Sequence, residues 1–193
     1  MENEHTNDLA PLIDRAARAT APVVRAIADE DLNRPTPCAE YDVHGLLNHL
    51  FHVVVGFQAL AAQGTADFST TPEYLDGDWR TRFADETGAL VEAWSAPGTL
   101  EGVSQGMAMP QRTVAHMVMG DLVIHGWDLA LATGQEYVPD EAALAELVPA
   151  FGEMAPLARK MGVFGEEVPV PGDATPLERL LGGTGRDPRW SPR

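Results

Sequence analysis

The sequence predicts an all-α domain of four or five helices. Apolar residues recur every three to four positions in several long segments, which is the spacing of a helix that is buried on one side. No segment alternates apolar and polar residues strongly enough to build a sheet, and there are no internal repeats or heptad arrays. These patterns favour one helical bundle.

Five segments carry the helical spacing, and turn residues separate them. The predicted helices run from Asn7 to Asp29, with Pro22 as a kink or second start, from the cap Asp42 to Gly64, from Trp79 to Trp94, from Thr113 to Thr133, and from Asp140 to Met161, with Pro149 as a bend. The two prolines of residues 33–40 predict a tight connector, and the polar residues 65–78 predict a loop. Residues 99–112 predict a short extended excursion that could form the mouth of a pocket.

The C-terminal part differs in composition from the bundle. Residues 162–193 are rich in Pro and Gly and contain one short amphipathic turn from Pro176 to Leu181. We therefore expect residues 1–161 to form the helical bundle, and residues 162–193 to pack over it as an irregular tail.

Composition excludes several classes of protein. The chain has 29 acidic and 13 basic residues, a net charge of -16, and so negative a surface repels nucleic acid. No apolar run approaches the roughly 20 residues of a membrane span, and the polar start MENEHTNDLA does not resemble a secretion signal. We expect a cytoplasmic protein without a membrane partner. Cys38 is the one cysteine, which excludes an intrachain disulfide, and we interpret it as a packing residue.

The segment from Thr113 to Thr133 is the centre of the functional prediction. Asp121, His125 and Asp128 fall on the same stripe as its apolar residues, so ionisable groups face the predicted core. Asp121 and His125 are four residues apart and project in nearly the same direction. Buried groups of this kind need partners. A divalent metal would satisfy them; the alternative is that the two side chains hydrogen-bond each other and a buried water.

A third ligand is available from the second helix. His49 lies at the edge of the buried stripe of that helix, whereas His52 points well away, towards the surface or a neighbouring segment. His44, in the first turn, is expected in solvent. The predicted metal ligands are therefore His49, Asp121 and His125.

These residue types predict a metal site with an open position. Zinc is the first choice, and nickel or iron also accept such ligands. Three protein ligands leave room for water or substrate, as in catalytic rather than structural zinc sites. We expect Asp128, one turn beyond His125, to orient a neighbour, with direct contact to the metal as the alternative. No GxSxG, P-loop or HExxH motif points to another reaction.

Three ordered stretches resemble the DinB-like superfamily, in its actinobacterial branch related to the metal-binding domain of mycothiol-dependent maleylpyruvate isomerase. They are PTPCAEYDVHGLLNHL, GDLVIHGWDLALATG and FGEEVPVPGDATPLERLLGGTGRDPRW. The resemblance implies a DinB-like up-down four-helix bundle, with an additional C-terminal helix and irregular tail. It also implies a three-ligand divalent metal site at one end. His49 matches the first ligand, and Asp121 with His125 matches an [HED]xxxH pair in which relatives often carry Glu or His.

The resemblance further implies a metal-dependent transferase or isomerase. In such proteins the metal activates a small thiol of the mycothiol type, which is a cosubstrate, and the partner is a small electrophile. We expect this chain to lack the further C-terminal domain of the full isomerase, so maleylpyruvate isomerisation itself is not carried over. Two alternatives remain open. One is a module, as a monomer or a homodimer, that binds a metal or a small ligand without catalytic turnover. The other is a bundle in which His49, Asp121 and His125 have only a structural role.

Overall fold

The computed structural model describes residues 8–192 and confirms the all-α class. Every regular element in that range is helical. The elements are α1 (Ala10–Ala26), a 3₁₀ turn (Asp29–Asp31), α2 (Val43–Ala61), α3 (Trp79–Ser95), α4 (Gln111–Ala132), α5 (Glu141–Lys160) and α6 (Pro176–Gly183). The predicted helix start at Asn7 lies outside the described residues.

Helices α1 to α4 form a four-helix bundle in which α1 and α2 each pack against both α3 and α4. Side chains that join helix ends give the directions. Arg112 at the start of α4 binds Asp8 at the start of α1, so these two helices are parallel. Gln111 donates to the carbonyl of Leu60 at the end of α2, and Arg80 of α3 donates to the carbonyl of Ile27 after α1. In chain order the helices therefore run up, down, down and up.

Local sequence determines where the helices begin. As predicted, Asp42 caps α2 by accepting a hydrogen bond from the Gly45 amide at 2.8 Å, and Asp140 caps α5. Helix α1 continues through Pro22, whose ring is tolerated inside it. The predicted connector between α1 and α2 closes with an antiparallel bridge from Pro35 to Asp42.

Contrary to the expectation that no apolar run approaches the length of a membrane span, helix α2 is long and apolar enough to cross a membrane by length and composition. In the bundle, however, 61% of its apolar window is buried against protein. Leu46, Leu50 and Phe57 belong to the same core as residues of α1, α3 and α4. This is the environment of the core helix of a soluble domain.

Helix α4 lies at the centre of the molecule, with α1, α2 and α5 packed around it. It is buried on nearly all sides, which explains why apolar residues occur around its whole circumference. Gly120 permits α5 to approach, since a Cβ there would lie 2.0 Å from the ring of Phe151. The close contact with α5 therefore lies directly beside Asp121, the first residue of the predicted pair Asp121 and His125.

The C-terminal residues contain more helix than the sequence predicts. The turn expected at Pro176 is a full helix, α6, because Thr175 and Glu178 form a reciprocal capping box at its start. Helix α6 packs on α5, and Leu180 and Leu181 complete the core. The division into a bundle of residues 1–161 and a tail of residues 162–193 stays a prediction.

The excursion at residues 99–112 lies at the other end of the bundle from the predicted ligands. It is closed by a bridge from Val103 to Pro110, and Gly106 packs against Leu60 at the end of α2. His49 lies near the start of α2. This loop is therefore not the mouth of the candidate site, because helix α2 separates the two.

Candidate metal centre

The structure brings His49, Asp121 and His125 together at one end of the bundle. The ligand-type atoms of the three side chains all lie within 4.8 Å of one another. His49 comes from the second turn of α2, and the other two come from successive turns of α4. His125 is 7% exposed and Asp121 is 31% exposed, so the cluster is accessible to solvent on the Asp121 side.

Asp121 and His125 are close without being hydrogen-bonded. Oδ1 of Asp121 lies 3.6 Å from Nε2 of His125, beyond normal hydrogen-bond length. Ligands of a tetrahedral zinc ion, with bonds of about 2.1 Å, are separated by about 3.4 Å. The spacing is therefore close to that of two ligands on a common ion, and the alternative of a direct hydrogen bond between them is not what the structure contains.

Asp128 holds the opposite nitrogen of the His125 ring. Its Oδ2 lies 3.0 Å from Nδ1 of His125, and its side chain is completely buried. An ionised carboxylate only accepts hydrogen bonds, so this contact assigns a hydrogen to Nδ1, and in the neutral ring Nε2 is then the nitrogen with the free lone pair. This is the arrangement by which a carboxylate orients a histidine for a metal.

Arg186 completes this arrangement and was not predicted from the sequence. Its Nη2 lies 3.3 Å from Oδ2 of Asp128, and its side chain is 12% exposed. It comes from the turn after α6, 58 residues further along the chain. The one available signal was its position in GGTGRDPRW, where three glycines precede an Arg in an otherwise acidic chain.

The ring of His49 lies between two other rings. Tyr41 stacks on it with centroids 5.4 Å apart, and His125 meets it edge-on at 5.1 Å. Burial lowers the pKa of His49 to about 4, and the neighbouring His125, His52 and Arg186 act in the same direction. His49 is therefore neutral at pH 7, the state in which an imidazole binds a metal.

The Asp121 carboxyl is enclosed although part of its surface is accessible. Burial by the surrounding protein raises its pKa, and His125 and Arg186 oppose that increase. The Asp121 carboxyl therefore combines 31% exposure with surroundings that favour its neutral form. A carboxyl in such a position gains from a nearby cation.

The other histidines in the described part of the chain lie outside the cluster. His52 packs against the following loop, with Nδ1 2.9 Å from the Tyr74 hydroxyl, in agreement with one of its two expected positions. His44 has 42% of its side chain exposed, and it lies 3.2 Å from Glu73. His116 pairs with Glu146 at 2.8 Å.

Cys38 lies near the candidate site without belonging to it. It is half-buried, as expected for a packing residue, and burial raises the pKa of its thiol, with Arg186 opposing. A shallow hollow of about 380 Å³ lies beside it, formed by the connector before α2. Tyr41, which stacks on His49, is one of the residues that line this hollow. The connector is thus both a wall of the hollow and a support of the candidate site.

Comparison with known proteins agrees with this architecture. Residues 13–130 match the family described as the mycothiol maleylpyruvate isomerase N-terminal domain. Two relatives from Mycobacterium tuberculosis, uncharacterized protein MT0763 of strain CDC 1551 / Oshkosh and uncharacterized protein Rv0738 of strain H37Rv, are each 32% identical over 184 residues. The alignment covers 91% of this chain and 96% of each relative. No solved structure shows a significant match. The family match extends over more than half of the chain, which therefore belongs to the mycothiol maleylpyruvate isomerase N-terminal domain family.

Proposed function

We propose that this protein binds a divalent metal through His49, Asp121 and His125, and uses it with a small thiol of the mycothiol type. The reaction class is transfer to, or isomerisation of, a small electrophile, and the site of action is the cytoplasm. Zinc is the first candidate metal, with nickel and iron as alternatives. The convergence of three ligand-type side chains from two helices is the observation that supports this proposal most strongly.

The donor set fits a divalent ion. The lone pair of His125 Nε2 faces Asp121, because Asp128 accepts the hydrogen of Nδ1. The lowered pKa of His49 keeps its ring free of a competing proton at neutral pH. Two neutral imidazoles and one carboxylate are ligands that zinc commonly takes in catalytic sites.

A bound metal would lower the pKa of a thiol or water at the open position. The residues of this chain would position the other participants. Asp128 keeps the His125 ring in one orientation, and Tyr41 does so for His49. The hollow lined by Tyr41 and Glu40 is where we place the polar part of a small thiol. Family membership supports the thiol as cosubstrate.

Metal content is the first test. Protein purified without an affinity tag should contain close to one divalent ion per chain by elemental analysis. A wild-type preparation that takes up none, even after incubation with excess zinc, nickel or iron, would contradict the proposal. It would favour a structural role for the three side chains.

Turnover is the second test. Metal-loaded protein is mixed with mycothiol and a panel of small electrophiles, and loss of free thiol is measured against the metal-stripped protein. A rate that needs both metal and His125 supports the enzyme. Metal binding without a rate above the stripped control leaves the binding module as the function.

A further inference from the structure

We propose that Arg186 is a positioning residue for the metal centre: it holds Asp128 so that His125 presents Nε2 to the ion. This inference rests on the proposed function. It makes the C-terminal segment part of the site, although neither the metal ligands nor the family match at residues 13–130 includes it.

Asp128 needs partners because it is buried. Its side chain has no exposed surface, and a carboxylate in that position is unfavourable unless charged or hydrogen-bonding partners accompany it. His125 supplies one hydrogen bond to Oδ2, and Arg186 supplies the cation at 3.3 Å. Arg186 is therefore the group that makes a buried Asp128 carboxylate tolerable.

The turn at the end of α6 positions Arg186. Helix α6 ends in a Schellman motif, in which the Arg186 amide donates to Leu181 O at 2.9 Å and the Gly185 amide donates to Gly182 O at 3.1 Å. Gly185 has φ of 91°, which favours glycine. Nη1 of Arg186 also donates to Thr184 O at 3.3 Å. The turn thus holds the backbone of Arg186, and Thr184 O holds its guanidinium group beside Asp128.

Arg186 has two effects on metal affinity that act in opposite directions, and an experiment can separate them. A cation close to a metal site opposes metal binding by direct repulsion, so removal of Arg186 for electrostatic reasons alone would strengthen binding. Removal of a group that orients a metal-bound histidine weakens binding instead, typically by about 10- to 100-fold. We expect the positioning effect to prevail, because Asp128 has no exposed surface and lacks another cation within ion-pair distance among the described residues.

The test measures the dissociation constants of Zn²⁺ and Co²⁺ for the full chain by competition with a chelator. Arg186→Met should weaken both by about 10- to 100-fold and alter the visible absorption of bound Co²⁺. Arg189→Met is the matched control, since Arg189 lies in the same segment, is 88% exposed and, among the described residues, forms an ion pair with Asp187 alone. It should bind like wild type. Unchanged or stronger binding by a folded Arg186→Met would overturn the proposal.

A double-mutant cycle separates positioning from general loss of structure. If Arg186 acts through Asp128, then Arg186→Met should change the dissociation constant by about twofold or less when Asp128→Asn is already present. An undiminished effect in that background would overturn the proposal. Should Arg186→Met fail to fold, Arg186→Gln, which also removes the cation, decides. Weaker binding at wild-type helical content supports the proposal, and wild-type affinity overturns it.

The outcomes distinguish this proposal from the proposed function. If the wild-type protein binds neither Zn²⁺ nor Co²⁺, both fail. If wild type binds and Arg186→Met binds equally well, only the role of Arg186 fails, and the metal centre of His49, Asp121 and His125 stands.

Discussion

The buried side chain of Asp128 lies 3.0 Å from Nδ1 of His125, three residues earlier on α4. One helix therefore carries a candidate ligand and the carboxylate that orients it. A spacing of three residues places both on the same face about one turn apart, and rotation of the His125 ring would break the contact. The predictions below examine the metal centre and the packing that supports it.

Removal of either imidazole should abolish tight metal binding. His49→Ala and His125→Ala each delete one of three donors, and we expect zinc affinity to fall by about 100-fold or more, beyond the effect of losing an orienting group. Isothermal titration or chelator competition measures it. His44→Ala is the control on the same helix, because His44 lies outside the cluster and pairs with Glu73. A comparable loss in His44→Ala would contradict the assignment.

Metal should stabilise the folded protein. Zinc at about 100 times its dissociation constant adds about 2.7 kcal/mol to the free energy of unfolding. For a chain of this size that corresponds to about 5 to 10 °C in Tm. A thermal melt with zinc, and then with excess chelator, should show the increase and its reversal. His125→Ala should show no increase, and an equal shift in that variant would indicate binding elsewhere.

Gly185→Ala should damage both stability and metal binding. A Cβ at this position would lie 2.7 Å from Gly165 Cα, and the backbone is in the left-handed region. We expect a loss of about 1 to 3 kcal/mol in the free energy of unfolding and a weaker metal site, since Arg186 follows directly. Gly183→Ala, where a Cβ meets nothing within 4 Å, is the control. Denaturant unfolding and zinc titration of both variants measure the difference.

Gly120→Ala should destabilise the contact between α4 and α5. The added Cβ would lie 2.0 Å from Cζ of Phe151, so the ring or the helix must move. Overpacking of this kind lowers the free energy of unfolding by about 1 to 3 kcal/mol. Gly152→Ala on α5 meets open space and should instead stabilise by about 0.5 to 1 kcal/mol. Equal effects of the two substitutions, measured by urea unfolding, would contradict this packing.

The metal-free protein should lose stability as the solution becomes acidic, in part through His49. Its pKa of about 4 in the folded protein lies below the ordinary histidine pKa of 6.5, so the unfolded chain takes up this proton first. The contribution of His49 is present above pH 6.5 and is lost as pH falls towards 4. Urea unfolding of chelator-treated wild type and His49→Gln from pH 7 to 4 measures it. The variant should show a shallower decline; identical slopes would contradict the lowered pKa.

Local sequence patterns were enough to predict the helices and which residues share a face of each helix. Hydrogen bonding along a helix sets 3.6 residues per turn, so the positions of Asp121, His125 and Asp128 on one face follow from their spacing. The same periodicity ranked His49 above His52, and both rings lie where it predicts. The cap at Asp42 and the start of the last helix near Asp140 were equally readable, because helix starts depend on neighbouring residues only.

The contacts between helices that are distant in sequence depend on packing in three dimensions. The contact between His49 and His125 depends on α2 running antiparallel to α4 beside it, which no local pattern encodes. Arg186 reaches Asp128 because α6 packs on α5 and ends in a glycine turn. Excluded volume and burial across the whole core determine such approaches. The sequence therefore indicated the donors, whereas packing between helices brought them to one place.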